Sequence, residues 1–87
     1  MDREEILAVI IKHIRQNVDG IENIDLDPNR SMSEYNASSL DIVEIVSSSM
    51  RELQIRVPRT QLANLKNIND LVDLFYAVKN EGPSVAE

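Results

Sequence analysis

Ser38 and Ser39 stand side by side in the stretch NASSLDIVEI, Asn36 to Ile45, where a polar connection gives way to helical periodicity. A serine hydroxyl can cap a helix, attack a carbonyl or accept a group delivered by another enzyme, and its neighbours decide which. Capping needs a partner three residues on. Asp41 provides it, so Ser38-x-x-Asp41 is the acidic variant of a capping box. With Ser38 as the cap, Ser39 becomes the first helical residue and its hydroxyl is left over. A nucleophilic serine needs a base to take its proton. No histidine or lysine stands beside Ser39, and the chain has no oxyanion-hole motif, so a hydrolase reading fails. Ser39 is then either an acceptor modified by an enzyme that grips the neighbouring helix, or a residue that merely adjoins a cap.

Composition narrows the alternatives. The 87 residues make one small domain, with 43% apolar content sufficient for a single core. No cysteine is present, which removes disulfides, thiolate metal sites and a cysteine nucleophile. His13, the one histidine, cannot alone assemble a zinc site or a triad, and it is expected partly exposed near the end of the first helix. The net charge of −6 disfavours nucleic acid and anionic membranes and suits basic protein partners in fast, salt-sensitive encounters. Tyr35, Phe75 and Tyr76 are the only aromatic residues, too few for a base-stacking platform. No signal peptide or membrane-length apolar run is present, and the expected location is cytoplasmic. From Met1 and the frayed tail a stand-alone chain is expected, with a domain excised from a larger synthase as the alternative.

The elements that must position the serines are helices. Residues 2–17 carry acids at the start (Asp2, Glu4, Glu5), bases near the end (Lys12, His13, Arg15), and a wide apolar face of Ile6, Leu7, Val9, Ile10, Ile11 and Ile14. Asp19-Gly20 is expected to stop that helix. A long connection over residues 18–37 is expected to be ordered, pinned by Ile21, Ile24, Leu26, Met32 and Tyr35. The second helix spans residues 39–53 and is expected to end because Pro58 bars its preceding residue from helical backbone. A short turn over residues 59–63 follows. The last helix starts near Asn67, a good cap, and Ile68, Leu71, Val72, Phe75 and Val78 line one of its faces, a stripe read as core and not as a lipid site. The fold class is all-α: an antiparallel bundle of three main helices and one short one, with a long ordered loop between the first and second. Residues 1–80 form the domain and 81–87 a flexible tail.

The second helix has one apolar face too many. At about 100° per residue, Ile42, Ile45, Val46, Ser49 and Leu53 make the core stripe. Leu40, Val43, Ser47 and Met50 cluster nearly opposite, with Asp41, Glu44, Ser48, Arg51 and Glu52 along a flank. Exposed apolar residues rimmed by acids suit transient protein docking, unless the long loop covers them. Ser49, small and on the core stripe, either leaves room for part of a bound chain or bonds back to a carbonyl one turn earlier.

These residues resemble a family. SSLDIVEIV is similar to the attachment motif of acyl carrier proteins, usually Asp-Ser-Leu-Asp ahead of an acidic, apolar helix, and the element order agrees along almost the whole chain. The resemblance implies that Ser39 receives 4′-phosphopantetheine from coenzyme A through a phosphopantetheinyl transferase that uses Mg²⁺. It implies that Leu40, Val43, Asp41 and Glu44 meet partner enzymes, and Ser47, Met50 and Arg51 complete the expected docking surface. Ser38 replaces the aspartate usual before the serine, and Asn36 replaces a glycine; asparagine tolerates the left-handed backbone that such a turn needs. Met50 and Arg51 stand where fatty-acid carriers have glutamates, pointing to a narrower set of partners.

The segment VPRTQLANLKNINDLVDLF further resembles discrete donor carriers of polyketide β-branching cassettes. Such donors present an acetyl-type unit to a synthase resembling hydroxymethylglutaryl-CoA (HMG-CoA) synthase. The implied protein is a monomeric, non-catalytic carrier of acyl thioesters in polyketide biosynthesis. Its partners are the transferase and acyltransferase, ketosynthase or HMG-CoA-synthase-like enzymes, without nucleic acid or membrane. Two alternatives remain: a helical adaptor without a prosthetic group, and an aminoacyl carrier of nonribosomal synthesis. The second lacks the Gly-Gly pair often found before the serine in those carriers.

Overall fold

The computed structural model describes residues 2–21, 23–62 and 65–81, excepting the side chains of Arg59 and Glu81. The expected tail over 81–87 lies outside the described residues but for the last helical position. Four α-helices run in order, α1 (Arg3–Asn17), α2 (Ser39–Leu53), α3 (Arg59–Leu62) and α4 (Ile68–Glu81), and no strand occurs among the described residues. The all-α bundle expected from periodicity is therefore the fold observed, and α1 packs against both α2 and α4.

The three long helices begin where their residues can satisfy the free N–H groups of a first turn. Asp2 Oδ1 accepts from Glu5 N at 2.9 Å while Glu5 Oε1 accepts from Asp2 N, a reciprocal box that starts α1. Asn67 Oδ1 accepts from Asp70 N at 2.8 Å to start α4. The α1 helix ends at Val18, in extended backbone; Gly20 takes its left-handed turn two residues further on, at φ +85°.

The end of α2 differs from expectation in its cause. Gln54 is left-handed (φ 59°), and Ile55 N donates to Met50 O across it, so the helix is closed by a C-terminal turn four residues before Pro58. Lys79 of α4 adds a bond to the free Leu53 carbonyl at 2.9 Å.

The core is the meeting of three stripes: Ile6, Ile10 and Ile14 of α1, Ile45, Val46 and Leu53 of α2, and Ile68, Leu71, Val72 and Phe75 of α4. Leu7, Val9 and Ile11 are only half-buried at its edge, so the wide apolar face of α1 is narrower than its composition suggests. Ser49 is fully buried within this core, and its hydroxyl has no hydrogen-bond partner; the expected bond to the preceding turn does not form. A buried unpaired hydroxyl costs about 1–3 kcal/mol. Ser49→Ala is accordingly expected to raise the denaturation midpoint and stabilise the protein by about 1 kcal/mol, measured by urea titration. An unchanged or lowered midpoint would show that the hydroxyl is satisfied in solution.

The long connection is ordered, as its apolar residues suggest. Ile21 and Leu26 are buried, Met32 and Tyr35 half-buried, and Tyr35 Oη accepts from Asp27 N at 2.7 Å. Ile24 does not pin the loop by burial, being 44% exposed; its carbonyl and that of Ile21 are held by the Arg15 guanidinium. The Pro28 and Arg30 carbonyls accept from Asn69 N and Ile68 N, so the loop also supplies acceptors to the first turn of α4. A 3₁₀ turn at Met32–Tyr35, unexpected from periodicity, follows Ser31, whose N–H donates to Glu34 Oε2. Asn36 closes that turn at φ 69°, in the left-handed conformation its residue type permits, and delivers the chain to Ser38.

Between α1 and α2, Glu52 accepts from Lys12 Nζ at 2.7 Å and lies 2.8 Å from His13 Nε2. The hydrogen bond from Lys12, then that from His13, hold the Glu52 carboxyl below its ordinary value of 4.5. A depressed carboxyl pKa adds stability above the unfolded value, lost as the pH falls through the folded one. The melting temperature of the wild type is therefore expected to exceed that of Glu52→Gln at neutral pH and to converge on it below pH 4.5. A gap that persists in acid would show that Glu52 acts through packing.

Candidate attachment site and docking helix

The two serines are separated by their hydrogen bonds. Ser38 has extended backbone (φ −77°, ψ 171°), and its Oγ accepts from Asp41 N at 3.1 Å. Asp41 Oδ2 accepts in return from Ser38 N at 3.0 Å, so the capping box read from the sequence is formed. Ser39 is the first residue of α2, exposed, and its hydroxyl makes no hydrogen bond. It stands at the N-terminus of a 15-residue helix, where the backbone dipole favours negative charge. A free, exposed hydroxyl in such a place suits a phosphodiester: the oxygen is accessible, nothing must be broken to reach it, and the field stabilises the new charge. Among the described residues no histidine or lysine bonds either serine, and the nearby Asp41 carboxylate is engaged by the Ser38 N–H.

Beyond Ser39, the apolar face of α2 divides in two. Leu40 is 82% exposed and Val43 62%, the most exposed large apolar residues among those described. Ser47 and Met50, expected on the same open surface, are half-buried. They join Ile42, Val43 and Val46 in lining a groove of about 770 Å³. Its opposite wall comes from the 3₁₀ turn (Ser31, Met32, Ser33), the α3 region (Val57, Leu62) and the start of α4 (Lys66, Leu71). The loop thus shields one half of the face and leaves the other open. Ser49 is not among the lining residues, so room for a bound chain lies beside Ile42 and Met50, not at Ser49. Sequence reasoning placed Ile42 wholly in the core and missed Val57 and Lys66, because a groove depends on how α3 and the loop fold over α2.

The charged flank also divides. Asp41 is half-buried and engaged in the cap, and Glu44 is exposed with Oε2 accepting from Ser48 Oγ at 2.6 Å. Glu52 turns to α1. Arg51 is exposed, and its side chain makes no ion pair or hydrogen bond among the described residues. By helical spacing it falls in line with Leu40, Glu44 and Ser47, not beside Glu52. Among the described residues no group of histidine and acidic side chains could hold a metal ion, and no helix is long and apolar enough to cross a membrane.

Comparisons with known proteins give matches along most of the chain. The family model described as "Phosphopantetheine attachment site" matches residues 9–75. The polyketide biosynthesis acyl-carrier-protein AcpK of Bacillus subtilis is 29% identical over 76 residues, 87% of this chain and 93% of the relative. An acyl carrier protein of Acidothermus cellulolyticus is 32% identical over 74 residues, covering 84% of this chain and 87% of its own. Among solved structures, a chain in the crystal structure of the curacin biosynthetic pathway HMG synthase in complex with acetyl donor-ACP is similar, with a TM-score of 0.81 and 35% identity. The match covers 88% of this chain and 99% of that one.

Proposed function

Because this chain belongs to the acyl carrier proteins, whose shared domain is a phosphopantetheine attachment site, we propose that Ser39 is the residue that receives the arm and that the carrier serves as an acetyl donor in polyketide biosynthesis. The observation that carries the assignment is the division of labour between the serines: Ser38 is engaged on both sides of its cap, while the adjacent Ser39 hydroxyl is exposed and free. A phosphopantetheinyl transferase joins the Ser39 oxygen to the phosphopantetheine phosphorus of coenzyme A, and adenosine 3′,5′-bisphosphate leaves. When bound, the group supplies the thiol that this cysteine-free chain lacks, on which acyl units travel as thioesters.

The chain's own residues catalyse no step. They orient the tether and dock its bearer, which raises the effective concentration of the acyl unit in a partner's active site. Leu40 and Val43 offer the apolar contact, Glu44 the steering charge, and the groove beside Met50 a shelter for part of the load. Such contacts are few and exposed, suiting a cytoplasmic monomer that must leave one enzyme for the next.

The polyketide setting is supported by the likeness to AcpK, and the donor role by the likeness to a chain in a complex of an HMG synthase with an acetyl donor carrier. The test is to load the phosphopantetheinylated chain with acetyl and mix it with that synthase and a β-ketoacyl carrier. Loss of the acetyl mass dependent on both proteins is the expected result. Acetyl that stays on the chain in their presence, yet moves to a ketosynthase, would replace the donor role by one in chain extension.

A further inference from the structure

The charges along the open stripe of α2 are not of one sign. We propose that this stripe recognises a partner surface of matching polarity, with a basic group opposite Glu44 and an acidic group opposite Arg51. The two would stand about 10 Å apart along the helix axis. The proposal rests on the carrier reading above and names the chemistry of the partner at that same surface.

Arg51 carries the inference. It is exposed, and its side chain makes no ion pair or hydrogen bond among the described residues, in a chain whose net charge is −6. On a helix an acid three or four positions away would neutralise it. The positions on the N-terminal side are Ser47 and Ser48, and α2 ends before those on the other side. The neighbouring Glu52 is taken by Lys12 and His13 of α1. Glu44, seven positions back on the same stripe, is held by Ser48 and not by Arg51. A cation in the last turn of α2 also suits the helix dipole. That accounts for a positive charge near this end, but it does not place it on the stripe of Leu40, Glu44 and Ser47.

The consequence is orientation and selection. Docking against a uniformly basic surface would set Arg51 against like charge, which costs enough to reject a partner. An acid at that point converts the cost into attraction and fixes the direction of α2, with Ser39 at one end of the contact. Ser47, between the two charges, has too small a side chain to hold the surfaces apart.

The probe is the HMG synthase of the curacin complex, with dissociation constants measured for the phosphopantetheinylated full chain. Arg51→Glu is expected to weaken binding by at least about tenfold, and Arg51→Lys by less than about threefold. The double variant Glu44→Arg/Arg51→Glu keeps the net charge at −6 yet reverses the stripe, and is expected to weaken binding at least as much. Melting curves that match the wild type separate this effect from a role in the helix dipole. Equal or tighter binding by folded Arg51→Glu would overturn the proposal while leaving the donor reading standing. If the wild-type chain does not bind the synthase, both fall together.

Discussion

Phe75→Ala is expected to lower the melting temperature by on the order of 20 °C. Phe75 is completely buried on α4, which packs against α1. Emptying such a site costs about 3–5 kcal/mol, from lost transfer free energy and the cavity left behind. A domain of this size has only about 5–15 kcal/mol of stability in total, and each kcal/mol moves the midpoint by roughly 4–8 °C. No cysteine is present to add a staple. The consequence reaches function: a carrier that loses this packing loses the relation of α2 to the groove, and loading should fail with it. Thermal unfolding followed by circular dichroism decides the matter, and a drop of less than about 5 °C would mean that the core collapses around the vacancy.

Ser39→Ala is expected to do the opposite: leave the melting temperature almost unchanged and abolish attachment. The Ser39 hydroxyl makes no hydrogen bond, so removing it breaks nothing, and alanine is a better helix former than serine. Ser38→Ala loses the cap to Asp41 and about 1 kcal/mol of stability, yet it should still be loaded. It leaves the Asp41 N–H without its acceptor, while the Asp41 carboxylate still accepts from the backbone N–H of residue 38. The pair of variants thus separates two adjacent hydroxyls by two readouts, melting and mass. Loading lost in Ser38→Ala and kept in Ser39→Ala would exchange their roles.

Much of this was legible in the sequence because the signals are local. Ser38-x-x-Asp41 fixes where α2 starts, Asn67 where α4 starts, and three isoleucines four residues apart, Ile6, Ile10 and Ile14, mark the buried line of α1. Asn36 at a left-handed position followed from its residue type. What stayed hidden depends on tertiary contact. The 3₁₀ turn at Met32–Tyr35 is too short to show a period, although Ser31 and Glu34 stand at capping-box spacing and could have signalled it. Pro58 was the obvious stop for α2, but Gln54 had already ended the helix, and no residue type forces a glutamine into left-handed backbone. The division of the α2 face could not be read from a wheel, since a wheel does not know that the loop and α3 fold over Met50 and leave Leu40 in water. Arg51 was assigned to a flank with Glu52, and the bonds from Lys12 and His13 to Glu52 separate the two residues.

The most direct measurement is the intact mass of the wild-type chain after incubation with coenzyme A, Mg²⁺ and a broad-specificity phosphopantetheinyl transferase, followed by fragmentation to place any added group. A gain of one phosphopantetheine is expected, located on Ser39 and on no other serine. A folded chain that gains no mass with transferases of several classes, or carries the group on Ser38, would contradict it.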